Sequence, residues 1–287
     1  MTPRWSGEWA VDAPVDDPAL DVLIPSYGRP AELAVTLAGL AAQEGVAFRV
    51  VVSDQTDGEA ASWVQPAARA MVRVLEAQGR PVRLERHLPR RGLAEHRHYL
   101  LGLASAPLVL FLDNDVWLEP GSLDRMVRAL RAAGCGFVGS AVQGLSYLGD
   151  RRPQERTELA FWPGDEVVPE RIRPGTEGFA RWPLHNAANL AHAAADLAIP
   201  AGAWRLYRVA WVGGCVLFDR EALVDCGGFD FWDRLPPGHA GEDVVAQWRV
   251  MERYGGAGII PSGAVHLEAP TTVPDRDTDA ARVILGQ

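Results

Sequence analysis

Five consecutive apolar residues, Leu108 to Leu112 (LVLFL), run without transition into Asp113-Asn114-Asp115. An unbroken apolar run of this length suits a strand covered on both faces, because a strand with one wet face alternates apolar and polar residues. Strands of that kind lie in sheets sandwiched between helices, so the segment by itself points to an α/β chain. Its surroundings repeat the theme. Short β-rich runs at Asp21–Pro25 (DVLIP), Phe48–Ser53 (FRVVVS) and near Val82–Glu85 alternate with helical patterns. That order predicts crossovers between parallel strands of one sheet.

The helical patterns carry their own punctuation. Pro30 suits a first helical turn, Leu33, Leu37 and Leu40 then share a face, and Gly45 supplies a stop. Pro66 interrupts a second pattern between Ala60 and Gln78, and a third spans Gly92 to Ala104. Ser122 is expected to cap a helix whose Leu123, Met126, Val127 and Leu130 form one stripe ending at Gly134. From about Gln143 to Arg181 periodicity is lost among Pro153, Pro163, Pro169 and Pro174, which predicts long irregular structure of the kind that tends to carry function. Order returns at Trp204–Phe218, a helix is expected at Glu242–Tyr254 and a strand at Ala257–Ile260. The residues after Glu268 read as a tail.

Composition excludes several classes. A chain of 287 residues that is 48% hydrophobic can bury one sizeable core. A formal net charge of -9 leaves no electrostatic footprint for nucleic acid or an anionic membrane. No apolar run approaches the roughly 20 residues that cross a bilayer, and the opening residues lack the apolar centre of a secretory signal, so a cytoplasmic location is expected. Cys135, Cys215 and Cys226 are odd in number and far apart, which predicts neither a disulfide framework nor a zinc site.

In open α/β sheets ligands bind beyond the carboxyl ends of the strands, where the apolar run delivers Asp113, Asn114 and Asp115. Hard divalent cations prefer oxygen ligands, usually one or two carboxylates completed by substrate phosphates. Two acids this close repel each other and gain from a bound cation. The pair is therefore read as a site for Mn²⁺ or Mg²⁺, against the alternative of a polar turn closing a buried strand.

Six blocks together resemble family 2 glycosyltransferases. They are DVLIPSYGRP, VVSDQTDG, RRGLAEHRHYLLGLASAPLVLFLDND, WVGGCVLFDREALVDCGGFD, GEDVVAQWRV and IIPSGAVHLE, in the family's order between Asp21 and Glu268. The resemblance implies a GT-A fold, Rossmann-like, with a mostly parallel central sheet flanked by helices and an acceptor-side subregion. It divides the chain into an N-terminal tail (1–17), a nucleotide-sugar-binding half (18–140), an acceptor-binding and catalytic half (141–268) and a C-terminal tail (269–287).

The same resemblance implies roles for single residues. Pro25, Tyr27 and Arg29 line the nucleotide pocket, and Asp54 meets the nucleobase or else simply begins a turn. Arg97 approaches the donor phosphates, Asp113 and Asp115 hold the metal with Asn114 between them, and His266 is a candidate third ligand. Gly213 and Gly214 let backbone approach the transferred sugar. Glu242 and Asp243 resemble the acceptor-side acidic pair, in which the Asp is the general base of inverting members; as acids in a first helical turn they also suit the helix dipole. Trp211 either stacks on a sugar or packs in the core, and Phe231 and Trp232 are candidate acceptor contacts. His185, His192 and the other tryptophans carry no assigned role. This chain departs from the family in the shorter spacing of VVSDQTDG and in having His98 after Arg97.

The expected activity is metal-dependent, inverting transfer of a sugar from a nucleotide-sugar donor, a UDP-sugar first, to a small-molecule, glycan or lipid-linked acceptor. Two alternatives stay open: another GT-A-like enzyme, either a retaining transferase or a nucleotidyltransferase, and a non-catalytic nucleotide-binding regulator.

Overall fold

A computed structural model describes residues 4–13, 17–58, 60–185, 187–273 and 276–286. The first half follows the predicted alternation: β1 (Leu20–Ser26), α1 (Pro30–Ala41), β2 (Phe48–Asp54), α2 (Pro66–Ala77), β3 (Val82–Arg86), α3 (Leu93–Gly102) and β4 (Leu108–Leu112). β5 (Val116–Leu118), α4 (Ser122–Ala133) and β6 (Phe137–Gly139) follow. Beyond them come β7 (Gln143–Gly144), α5 (Ala187–Asp196), β8 (Arg205–Tyr207), β9 (Cys215–Asp219) and α6 (Arg220–Asp225). The chain continues through α7 (Glu242–Tyr254), β10 (Gly256–Ile260), β11 (Ala264–His266) and α8 (Ala280–Leu285).

Among the described residues the main sheet has eight strands in the order β3-β2-β1-β4-β9-β6-β10-β8. β1, β2, β3 and β4 pair in parallel, whereas β9 runs antiparallel to both β4 and β6. The strand from the second half is thus inserted between two strands of the first, so the two expected halves share one sheet. A small sheet, β5-β11-β7, stands beside the acidic turn.

Alternation along the buried strands explains their unbroken hydrophobicity. Val22, Ile24, Leu110 and Leu112 belong to the core cluster that holds Leu33, Leu37 and Leu40 of α1 and Met126 and Leu130 of α4. Leu23, Val51, Val109 and Phe111 belong to the cluster on the other face, with Val245 and Trp248 of α7. Every side chain of β4 is buried because both faces are covered.

Three local expectations are corrected. Ser122 does not cap α4: Gly121 occupies the cap position in the left-handed region, and the Ser122 hydroxyl is turned to the carbonyl of Gly263 at 3.3 Å. The loosely patterned middle carries short 3₁₀ turns, the longest at Glu177–His185. The stretch expected to be a C-terminal tail ends in α8, which packs on α7 through fully buried Ala280 and nearly buried Ala281. Asp279 caps that helix by accepting from the Ala281 and Arg282 amides, an N-terminal signal too short to stand out in sequence. All three cysteines are free thiols, with Cys135 and Cys215 buried.

Candidate active site

The end of β4 and the starts of β9, α3 and α7 converge on a cavity of about 700 Å³. Its lining includes Arg97, Asp113, Trp211, Gly213, Gly214, Glu242, Asp243 and His266, so eight of the residues singled out in sequence meet there.

Arg97, on the inner face of α3, is 5% exposed. Its Nη2 donates to Asp113 Oδ1 and its Nε to Glu242 Oε1, both at 3.1 Å. The guanidinium expected at the donor phosphates is therefore engaged in bridging the end of β4 to the start of α7. One buried cation faces three carboxylates, those of Asp113, Glu242 and Asp243. Burial raises the pKa of Glu242, opposed by Arg97. Burial and the neighbouring Glu242 push Asp243 up to about 7.

A second histidine fixes this arrangement. His239 Nδ1 donates to the Pro236 carbonyl at 2.7 Å, and its Nε2 accepts from the Ala94 amide at 3.1 Å. Those bonds select the neutral tautomer, whose pKa burial lowers. The ring ties the loop before α7 to the first turn of α3, holding Arg97 in register with Glu242. Gly92 makes room for it: a Cβ there would lie 2.7 Å from His239 Cε1, on a backbone with φ of +112°.

Behind His266, which lines the cavity, Asp115 is 2% exposed and is not itself part of the lining. Its Oδ2 accepts from Arg29 Nη1 at 2.6 Å and lies 3.4 Å from His266 Nε2. Asn114 accepts from Arg29 and donates to Ser26 Oγ, each at 3.3 Å, which stiffens the turn. The Glu268 amide donates to His266 Nδ1 at 2.9 Å, so a neutral imidazole carries its proton on Nε2 and presents it to Asp115. The hydrogen bond to Asp115 raises the His266 pKa. Among the described residues no three His, Cys, Asp or Glu side chains form a ready-made metal cage. Mg²⁺ and Mn²⁺ seldom need one where substrate phosphates complete the shell, and the Asp113 side chain, 38% exposed, faces the opening.

Pro25, Tyr27 and Asp54 lie away from this cavity, at the neighbouring ends of β1 and β2. Pro25 falls beyond the last β1–β4 pair, where its missing N–H costs no ladder bond. Tyr27 donates to Asp57 Oδ2 at 2.7 Å beneath the Arg90 guanidinium, 4.0 Å from its ring centre. Asp54 is fully buried and its two oxygens accept from the Thr56 amide and hydroxyl, both at 3.0 Å, which is the turn-forming arrangement. At Gly213 the space of the missing Cβ is taken by the chain itself, since a Cβ would lie 2.9 Å from Trp211 Cζ3. Gly214 accepts from the Asp113 amide at 2.9 Å with φ of +76°. Phe231 is buried against Phe229, and neither it nor Trp232 lines the cavity. The lining aromatics are Phe179, Trp182, His185, Trp211 and Trp248. Of these, Phe179, Trp182, His185 and Trp248 drew no role in sequence; for the first three the available signal was a cluster of aromatic residues at the end of a proline-rich, aperiodic segment.

A helix-flanked mixed sheet of this order, with an acidic turn at the end of its central strand, is the GT-A architecture. The sequence model of glycosyl transferase family 2 matches residues 21–210, more than half of the chain, and the chain belongs to that family. A protein of Mycobacterium tuberculosis (strain CDC 1551 / Oshkosh), itself uncharacterised, is 26% identical over 235 residues, covering 76% of this chain and 62% of that protein. Similar solved folds include the mannosyltransferase PcManGT of Pyrobaculum calidifontis in complex with GDP-Man and Mn²⁺, with a TM-score of 0.56 and 16% identity over 93% of this chain and 64% of the other. S. aureus TarS 1-349 in complex with UDP-GlcNAc gives a TM-score of 0.57 and 14% identity over 88% of this chain and 60% of the other. The chain thus spans less than two thirds of the length of these relatives. Among the described residues no helix is long and apolar enough to cross a membrane.

Proposed function

We propose that the chain transfers a sugar from a nucleoside-diphosphate sugar to an acceptor hydroxyl with inversion, Asp243 acting as the general base. The observation that carries this reading is the Asp113–Arg97–Glu242 bridge, which ties a donor-side acid to an acceptor-side pair across one cavity. Family membership and the GDP-Man and UDP-GlcNAc complexes of similar folds support the donor class.

Asp113 and Asp115 would hold a divalent cation together with the donor diphosphate, with His266 beside Asp115 as a third group. When bound, that ion neutralises charge gathering on the departing diphosphate. Arg97 keeps Asp113 and Glu242 apart in charge and fixed in position. With Glu242 paired to Arg97, Asp243 is the acid left to take the proton of an acceptor hydroxyl, and a pKa near 7 suits a base that must accept and then release it. The freed oxygen attacks the anomeric carbon as the bond to the diphosphate breaks.

A thermal-shift panel of UDP, GDP, dTDP and CDP, each with and without Mn²⁺, tests the donor half, because binding only the folded form raises the melting temperature. A shift with at least one nucleotide that grows with Mn²⁺ is expected. No shift in any well would remove the donor assignment. Product stereochemistry separates inversion from retention, and a protein that binds a nucleotide yet neither hydrolyses nor transfers from its sugar would be a regulator.

A further inference from the structure

Resting on the reading above, we infer that the wall formed by Trp182, His185 and Trp211 is the acceptor subsite and that the acceptor presents a saccharide ring. Trp182 and Trp211 meet at 5.2 Å between ring centres, and His185 stacks on Trp211 at 4.7 Å with an interplanar angle of 27°. Phe179 packs behind Trp182 at 5.2 Å, and Trp248 is anchored by donating to the Ala210 carbonyl at 2.8 Å. These rings share their cavity with Glu242 and Asp243.

The polar rim matches the aromatic floor. His185 Nδ1 donates to the Trp182 carbonyl at 2.7 Å, which leaves Nε2 of the neutral ring as an acceptor. Around this aromatic wall, whose two indoles are tilted by 41°, the cavity thus offers an imidazole acceptor and the Asp243 carboxylate, with Glu242 held by Arg97. A pyranose fits that description: its axial C–H face is apolar and its hydroxyl edge is a ring of donors and acceptors. A lipid chain alone would offer these polar groups no hydrogen-bond partner. Gly213 leaves room for the Trp211 ring, since a Cβ there would lie 2.9 Å from Trp211 Cζ3.

The test uses the full chain with the tightest-binding nucleotide of UDP and GDP, plus Mn²⁺, and a panel of methyl glycosides and disaccharides of glucose, galactose, mannose and N-acetylglucosamine. Saturation-transfer NMR reports which sugar protons touch protein, and calorimetry reports nucleotide affinity. At least one sugar is expected to show transfer to its ring C–H protons. Trp182→Ala should weaken that sugar tenfold or more while changing nucleotide affinity less than twofold, and Trp182→Phe should recover most of the loss. Thermal melts identify a variant that fails to fold, in which case His185→Ala, at the edge of the wall, replaces it. Nucleotide binding with no sugar bound, or a loss of nucleotide affinity in Trp182→Ala equal to the loss for sugar, would overturn the subsite and leave the donor reading standing. No nucleotide binding in the wild type would overturn both.

Discussion

The sheet buries carboxylates at both of its ends, and the two ends treat them oppositely. Asp21, at the start of β1, is fully buried and accepts four hydrogen bonds: Arg49 Nε at 2.9 Å, Arg49 Nη2 at 2.8 Å, and the amides of Ser105 at 2.7 Å and Ala106 at 2.9 Å. One acid there has one guanidinium in a two-pronged contact and two backbone donors, so its charge is matched. At the far end Arg97 divides its charge between Asp113 and Glu242, and Asp243 is pushed up to about 7. Matched charge locks the β1–β2 entry to the loop before β4. Unmatched charge is carried at a cost in stability, and the site that carries it has an opening to solvent and room for a substrate. The difference separates an acid that holds the fold together from acids kept available for chemistry.

The contrast breaks most sharply at Asp243. Asp243→Asn should lower transfer about 10²–10⁴-fold with donor affinity unchanged, the range a positioned base contributes; turnover close to wild type would take the base role away. Asp21→Ala should do the reverse. It strands Arg49 and two amides, and chemical denaturation should show a loss of about 3–5 kcal/mol, while activity per folded molecule holds. Equal effects of both substitutions on both readouts would erase the distinction.

Two smaller effects sharpen it. His239→Leu removes the tie between α3 and α7, and about a 10- to 100-fold loss of turnover is expected from misplacing Glu242 and Asp243, with nucleotide affinity retained in calorimetry. The last concerns pH. Because the folded form binds the Asp243 proton more tightly than the unfolded chain does, this group's contribution to stability is present at low pH and is lost as pH rises from the ordinary Asp range through about 7. Asp243→Asn should therefore raise the melting temperature more at pH 8 than at pH 4. The same ionisation makes wild-type turnover rise with pH through about 7, which a rate profile checks. A melting-temperature gain that is flat between the two pH values would mean Asp243 is not the strained acid.

The sequence by itself determined the alternating strands and helices of the first half, the doubly covered β4 and the start of α7 at Glu242, because periodicity and proline placement act over a few residues. It also placed Asp113, Glu242 and Asp243 among the residues worth naming. Only the tertiary structure decided that Arg97 is spent on two of those acids, that Asp54 is satisfied by its own turn, and that Trp182 and His185 reach the cavity from a segment without periodicity. It likewise turned the expected C-terminal tail into α8. The physical reason is range: hydrogen-bond periodicity is local and legible along the chain, whereas the pairing of a charge depends on which distant element folds against it.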